Sequence, residues 1–294
     1  MKRFITNSLL CFCIFMCIWC VAEYAKEKIY LPNAYSYKYK HVKGNSSIKT
    51  LLIGHSHFEN SINPYLMGDS IYDFAISGRR WIYWDVKLAE QLLPTMPNLK
   101  YVLFPLGYAM PYESPHFQPL TDVIEENIYQ YGKNMHVMYD RFPENYWYKS
   151  SLVRNDMKIH FWREKNQDKL GYYKLEGQSE ECATDQNVDP NIYEGEVAQL
   201  CLNEYKEYFI QLAKICNENN IRFIAVTCPC ADSYIQNTRP QGIKNLYDLV
   251  DSVRTYYPIE YYNYLDDPEF RADSLYYNCS HLNSIGADKF AIRL

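Results

Sequence analysis

The 294-residue chain lacks any excess of positive charge: 30 Lys and Arg stand against 35 Asp and Glu, for a formal net charge of −5 and a pI near 5.8. Without a basic field for phosphate backbones, nucleic acid is excluded as a partner. Outside the N-terminal apolar segment the cysteines Cys182, Cys201, Cys216, Cys228, Cys230 and Cys279 contain no Cys-x-x-Cys pair, so zinc-ribbon spacing is missing. Cys228-Pro-Cys230 has a redox-like spacing but no thioredoxin-type context around it. His55, His57 and Glu59 alternate around one strand end with no further ligand cluster, so neither a metal nor a cofactor is expected. No internal repeat is visible, which argues against a solenoid.

What the chain does have is a composition of 48% hydrophobic and 22% charged residues, enough for one sizeable core with an added subdomain. Its 30 tyrosines read as core and amphipathic surface filler, with rings able to stack on sugars. One long apolar run occurs. Phe4 to Ala22 follows Lys2 and Arg3 and holds no charge over 19 residues. As a helix it would reach about 28 Å, near the roughly 30 Å of a bilayer core. Cys20-Val-Ala22 also fits a signal cleavage site, but bulky residues persist to Trp19 and favour an anchor. The expected organisation is a membrane segment over 1–28, a stalk over 29–47 and a domain over 48–294, placed on the periplasmic or extracellular side.

Within that domain Thr50 to Gly54, Ile71 to Ala75, Tyr101 to Leu106, Ile221 to Thr227 and Ile259 to Leu265 read as strands. Their unalternating apolar character is that of parallel strands covered on both faces. Trp81–Leu93, Glu194–Asn219, Gln241–Tyr256 and Ser284–Ile292 carry helical periodicity, the last with Ser284 as its expected cap. Residues 111–190 break the pattern and read as an insertion packed over the strand ends. The order predicts an α/β, three-layer sandwich around a parallel, flavodoxin-like sheet.

Two motifs carry chemistry. The first strand stops at Gly54-His-Ser56, a tight turn that lifts Ser56 to the carboxyl edge of the sheet, where open α/β sheets hold ligands. Near the other terminus, Asn278-Cys-Ser-His281-Leu-Asn-Ser-Ile-Gly-Ala287 supplies a histidine just before the last helix. A serine needs a base to take its proton, and the attacked carbonyl needs donors where its charge develops.

Gly54-His-Ser-His57, Ile76-Ser-Gly78 and His281-Leu-Asn-x-x-Gly-Ala resemble blocks of the SGNH/GDSL hydrolase superfamily. The likeness is greatest to its membrane-tethered bacterial branch, which includes proteins of alginate acetylation and teichoic-acid D-alanylation. It spans about residues 48–294, poorly in the middle third, and implies the sandwich fold. It also implies Ser56 as nucleophile and His281 as base, with oxyanion donors from the main chain of Ser56 and Gly78. The chain departs from the family twice. An asparagine usually follows strand three, where this chain has Leu106-Gly107-Tyr108; and the family pattern Asp-x-x-His reads Asn278-Cys-Ser-His281. Asp273 is a neighbouring carboxylate and a candidate to stand in for the missing one, and His57 matches the position after the nucleophile, in a supporting role.

The expected function is an acyl ester hydrolase or O-acyltransferase acting on acylated glycans or similar esters. The alternative is a non-catalytic partner of a membrane acyl-transfer or glycan-export machine. A polytopic membrane acyltransferase is the protein partner expected under the transfer and partner readings.

Overall fold

In the computed structural model, residues 2–25, 34–78, 81–112, 114, 168–178, 195–236, 238 and 240–294 are described. Helix α1 (Lys2–Ala25) contains a 19-residue stretch, Arg3–Val21, long and apolar enough to cross a membrane, with none of it buried against the domain. Helix α2 (Ala34–Val42) follows. The expected stalk is corrected here, because Tyr35, Lys38 and Val42 of α2 are buried in the domain. The spacing 35, 38, 42 places one residue per turn on one face, and that face is a wall of the core.

Strand β1 (Thr50–Leu52) leads to helix α3 (Ser56–Ser61), strand β2 (Ile71–Asp73), helix α4 (Tyr83–Leu92) and strand β3 (Tyr101–Pro105). After a stretch largely outside the described residues come helix α5 (Glu196–Glu218), strand β4 (Arg222–Thr227), the short helix α6 (Asp232–Gln236), helix α7 (Pro240–Arg254) and strand β5 (Glu260–Asn263). A hairpin of β6 (Tyr276–Asn278) and β7 (His281–Leu282) precedes helix α8 (Ser284–Arg293).

The five long-range strands pair in parallel in the order β2-β1-β3-β4-β5, so the fold is an α/β sandwich with a flavodoxin-like sheet. Successive strand residues enter two different cores. Leu51, Val102, Phe104, Phe223 and Ala225 join α2, α4, α5 and α7 on one face; Leu52, Leu103 and Val226 join α3, α8 and the hairpin on the other. Period-two alternation therefore reads as a continuous apolar run, since both faces are dry. Each large side chain withdrawn this way contributes roughly 1.5–3 kcal/mol of transfer free energy.

Two details differ from expectation. The cap of α8 is Asn283, not Ser284: Asn283 keeps an extended backbone and its Oδ1 accepts from the N–H groups of Ile285 and Gly286. Ser284 already lies inside the helix and donates its hydroxyl to Glu176 Oε2 at 2.9 Å. The predicted insertion falls mostly outside the described residues. Of its described residues, 111, 112, 114 and 168–178, the last run lies along the β2 edge and across α3 and α8, with N–H groups of Asp73, Tyr173 and Ser284 bonded to Leu170, Glu59 and Leu175 oxygens respectively.

Candidate active site

The β1/β3 boundary is where strand order reverses, and both flanking loops open at the carboxyl rim. Gly54 makes the turn there possible: its φ is +112°, and a Cβ would stand 2.3 Å from Pro105 Cδ. His55 then caps α3, its Nδ1 accepting from the His57 N–H, and Ser56 becomes the first helical residue. Amides in a helix's first turn have no intrahelical partner, so the Ser56 N–H belongs to a set suited to an anion.

Ser56 Oγ lies 2.8 Å from His281 Nε2, and His281 Nδ1 lies 2.9 Å from Asn278 Oδ1. The amide's orientation follows from chemistry. Main-chain N–H groups of Ser280 and His281 both point at the same Asn278 atom, at 3.1 and 2.9 Å, so that atom is the carbonyl oxygen. His281 Nδ1 faces that oxygen and also the Ser280 hydroxyl, at 3.0 Å; an amide oxygen only accepts, so this geometry favours hydrogen on Nδ1 and leaves the Nε2 lone pair to accept the Ser56 hydroxyl. This geometry comes from the two-residue turn Cys279-Ser280 between β6 and β7, which folds Asn278 back over the turn's own amides. Gly286 lets α8 press on this hairpin, since a Cβ there would stand 2.1 Å from the Leu275 oxygen.

Asp273 is exposed and its main-chain oxygen accepts from Gln178, whereas the Nδ1 position is taken by Asn278. The His57 ring packs edge-on to His281, 5.0 Å between centroids, and tilted against His55 at 4.8 Å. Burial, with His55 and His281 adding to it, holds the His57 pKa well below its ordinary 6.5, so His57 is neutral. Gly107 lies beside this ring, with the site of its missing Cβ 3.7 Å from His57 Nδ1. Imidazole thus occupies the space next to the residue where an asparagine was expected. Gly78 sits in the turn after β2 with φ +76°.

A second polar cluster lies directly behind. Glu59, three residues after Ser56 on α3, has one carboxylate oxygen on the Ser77 N–H (2.6 Å) and Ser77 hydroxyl (2.5 Å). Its other oxygen is 3.2 Å from Lys38 Nζ, which also donates to the Ala75 oxygen at 2.6 Å. Asp73, wholly buried, accepts from the Ala75 N–H, and desolvation, only partly offset by Lys38, pushes its pKa from 3.8 up to about 8. One ammonium, paired with Glu59, thus lies near two carboxylates, and the raised pKa of Asp73 favours its protonated form. Among the described residues no group of three His, Cys, Asp or Glu is disposed to hold a metal ion.

The structure brings Ser56, His281, Asn278 and His57 together, with Gly107 against His57. Lys38, Asp73, Ser77 and Ser280 were not anticipated. Asp73 left a trace in the sequence, as a carboxylate inside an apolar strand that must find a cation; Lys38, in a polar and tyrosine-rich stretch, left none.

No family model matches the chain, and no curated protein does. Among solved structures it is similar to a Bacteroides fragilis protein described as a candidate acylhydrolase. That likeness has 11% identity, covers 87% of this chain and 89% of the other, and has a TM-score of 0.40. At that level the activity has to be argued from the site itself.

Proposed function

We propose that the protein is a serine-dependent acyl-ester enzyme of the SGNH/GDSL type, tethered by α1 with its domain on the periplasmic or extracellular side. Its substrates are acylated glycans or similar esters. The observation that carries this reading is the continuous relay from Asn278 Oδ1 through His281 to Ser56 Oγ at the carboxyl rim. Ser56 attacks the acyl carbonyl as its proton passes to His281 Nε2. The oxyanion falls to the N–H groups of Ser56 and Gly78, and His281 then returns the proton to the leaving alkoxide. Water resolves the acyl-Ser56 ester in an esterase; a glycan hydroxyl resolves it in an O-acyltransferase, with a polytopic membrane acyltransferase as the partner.

Asn278 favours a second reading, a non-catalytic partner that kept the fold, because an amide cannot balance the imidazolium charge. The test is labelling of the full-length chain by a fluorophosphonate probe, with short-chain acyl esters in parallel. Labelling at Ser56 that disappears in Ser56→Ala and His281→Ala supports the enzyme. Labelling only in Asn278→Asp supports a decayed enzyme kept for binding. Absence from both folded proteins refutes catalysis.

A further inference from the structure

The loop that carries Gly78 is pinned residue by residue. Ala75 donates its N–H to Asp73 Oδ1 and accepts from Lys38 with its oxygen. Ile76 donates to the Gly54 oxygen at 3.0 Å, and Ser77 gives both its N–H and its hydroxyl to Glu59. The Glu59 carboxylate is thus the bridge between two parts of the site, being fixed to the Ser56 helix by the chain and to the Gly78 loop by two hydrogen bonds. Its position is in turn set by Lys38, which is 1% exposed and belongs to α2.

We infer that Glu59 and Lys38 are a positioning pair, which sets the distance between the Ser56 nucleophile and the Gly78 loop and makes α2 part of the catalytic unit. Its catalytic consequence rests on the serine-enzyme reading; its structural content does not. Both residues are buried and bonded to the main chain or side chains of the loop rather than to Ser56 or His281. Charge alone would serve only stability, whereas an acceptor aimed at two donors of Ser77 serves register, and a shift of about 1 Å at a reacting centre costs about 100-fold in rate.

The pair is tested in the full-length chain in detergent with two charge-balanced double variants. Glu59→Leu with Lys38→Met removes both charges and the acceptor. Glu59→Gln with Lys38→Met removes the charges but keeps an oxygen for Ser77. In the first, amide exchange over residues 75–78 should quicken about tenfold or more, and kcat for a short-chain acyl ester should fall about 10- to 100-fold with KM moved less than about threefold. In the second, both readouts should return to within about threefold of wild type. Should the Leu/Met protein not fold, Ser77→Ala carries the same test at smaller amplitude, deleting one donor only. Unchanged exchange in the Leu/Met protein overturns the inference, as does equal impairment of both doubles. A wild type that neither labels nor turns over refutes the enzyme reading instead, and the exchange data still decide whether the pair holds the loop.

Discussion

At the start of α3, Ser56 faces an imidazole and an amide; three residues later, Glu59 faces an ammonium with a second carboxylate close by. The first cluster is partly open to water and places the amide of Asn278 at His281 Nδ1. The second is sealed, with Lys38, Glu59 and Asp73 all in the buried set. Neutral groups can be partly desolvated at little cost, whereas buried ions must be matched in number and bonded at nearly every lone pair. Under the proposed function the rim cluster changes protonation during a reaction, whereas the inner one resists change. Substitutions in the first should alter rate and leave stability alone; those in the second should cost stability wherever a charge is stranded, and reach the rate only through the loop that Glu59 holds.

The largest effect is expected at the rim. Ser56→Ala or His281→Ala should lower ester hydrolysis by about 10⁴-fold or more, with a thermal midpoint within a few degrees of wild type. A large loss of stability in Ser56→Ala would break the contrast. In the inner cluster, Glu59→Ala alone strands the Lys38 charge and should cost about 3–5 kcal/mol in chemical denaturation. Lys38→Met added to it should recover much of that loss.

Asp73 supplies a pH signature. Its folded pKa of about 8 lies above the ordinary 3.8, so between those values the folded state holds a proton that the unfolded state has released. Stability is thus fullest below about pH 4 and declines as pH rises through about 8. Asp73→Asn, which keeps an oxygen for the Ala75 N–H, should flatten that decline by on the order of 3 kcal/mol. Denaturation series at pH 5, 7 and 9 compare the two proteins, and parallel curves would show that Asp73 is ionised throughout.

The smallest effect, and the sharpest for mechanism, is Asn278→Asp. In a serine protease an amide at the triad acid costs about 10⁴-fold, largely by selecting the wrong imidazole tautomer. Here the Ser280 and His281 amides hold the Asn278 oxygen toward Nδ1, so the correct tautomer is already chosen. What the amide lacks is charge, and restoring it should raise kcat about 10- to 100-fold, well short of the full factor. A gain near 10⁴ would show that the tautomer is not held by the turn.

Much of the fold was legible because it is local. Apolar runs marked the five strands near their observed limits, and helical spacing marked α4, α5, α7 and α8. The rim serine and the histidine before the last helix were legible for a similar reason: a tight turn after a buried strand and a segment leading into a helix have short-range signatures. Ser284 was misread as the cap because a hydroxyl before a helical run fits the rule, while Asn283 won through backbone geometry that only the hairpin sets. The 276–282 hairpin is too short for a period to show.

By itself, then, the sequence determined the alternation of elements and the apolar N-terminal segment, since both follow from residue type and near-neighbour spacing, while its resemblance to the hydrolase blocks pointed to Ser56, His281 and Asn278. The tertiary structure decided that a supposed stalk is a core helix, that Lys38 meets Glu59 across 21 residues, and that the Asn278 oxygen faces His281. These depend on which groups meet after the chain has closed on itself. Desolvation then sets their consequences: a lysine in a polar stretch reads as a surface charge until burial forces it to find a carboxylate.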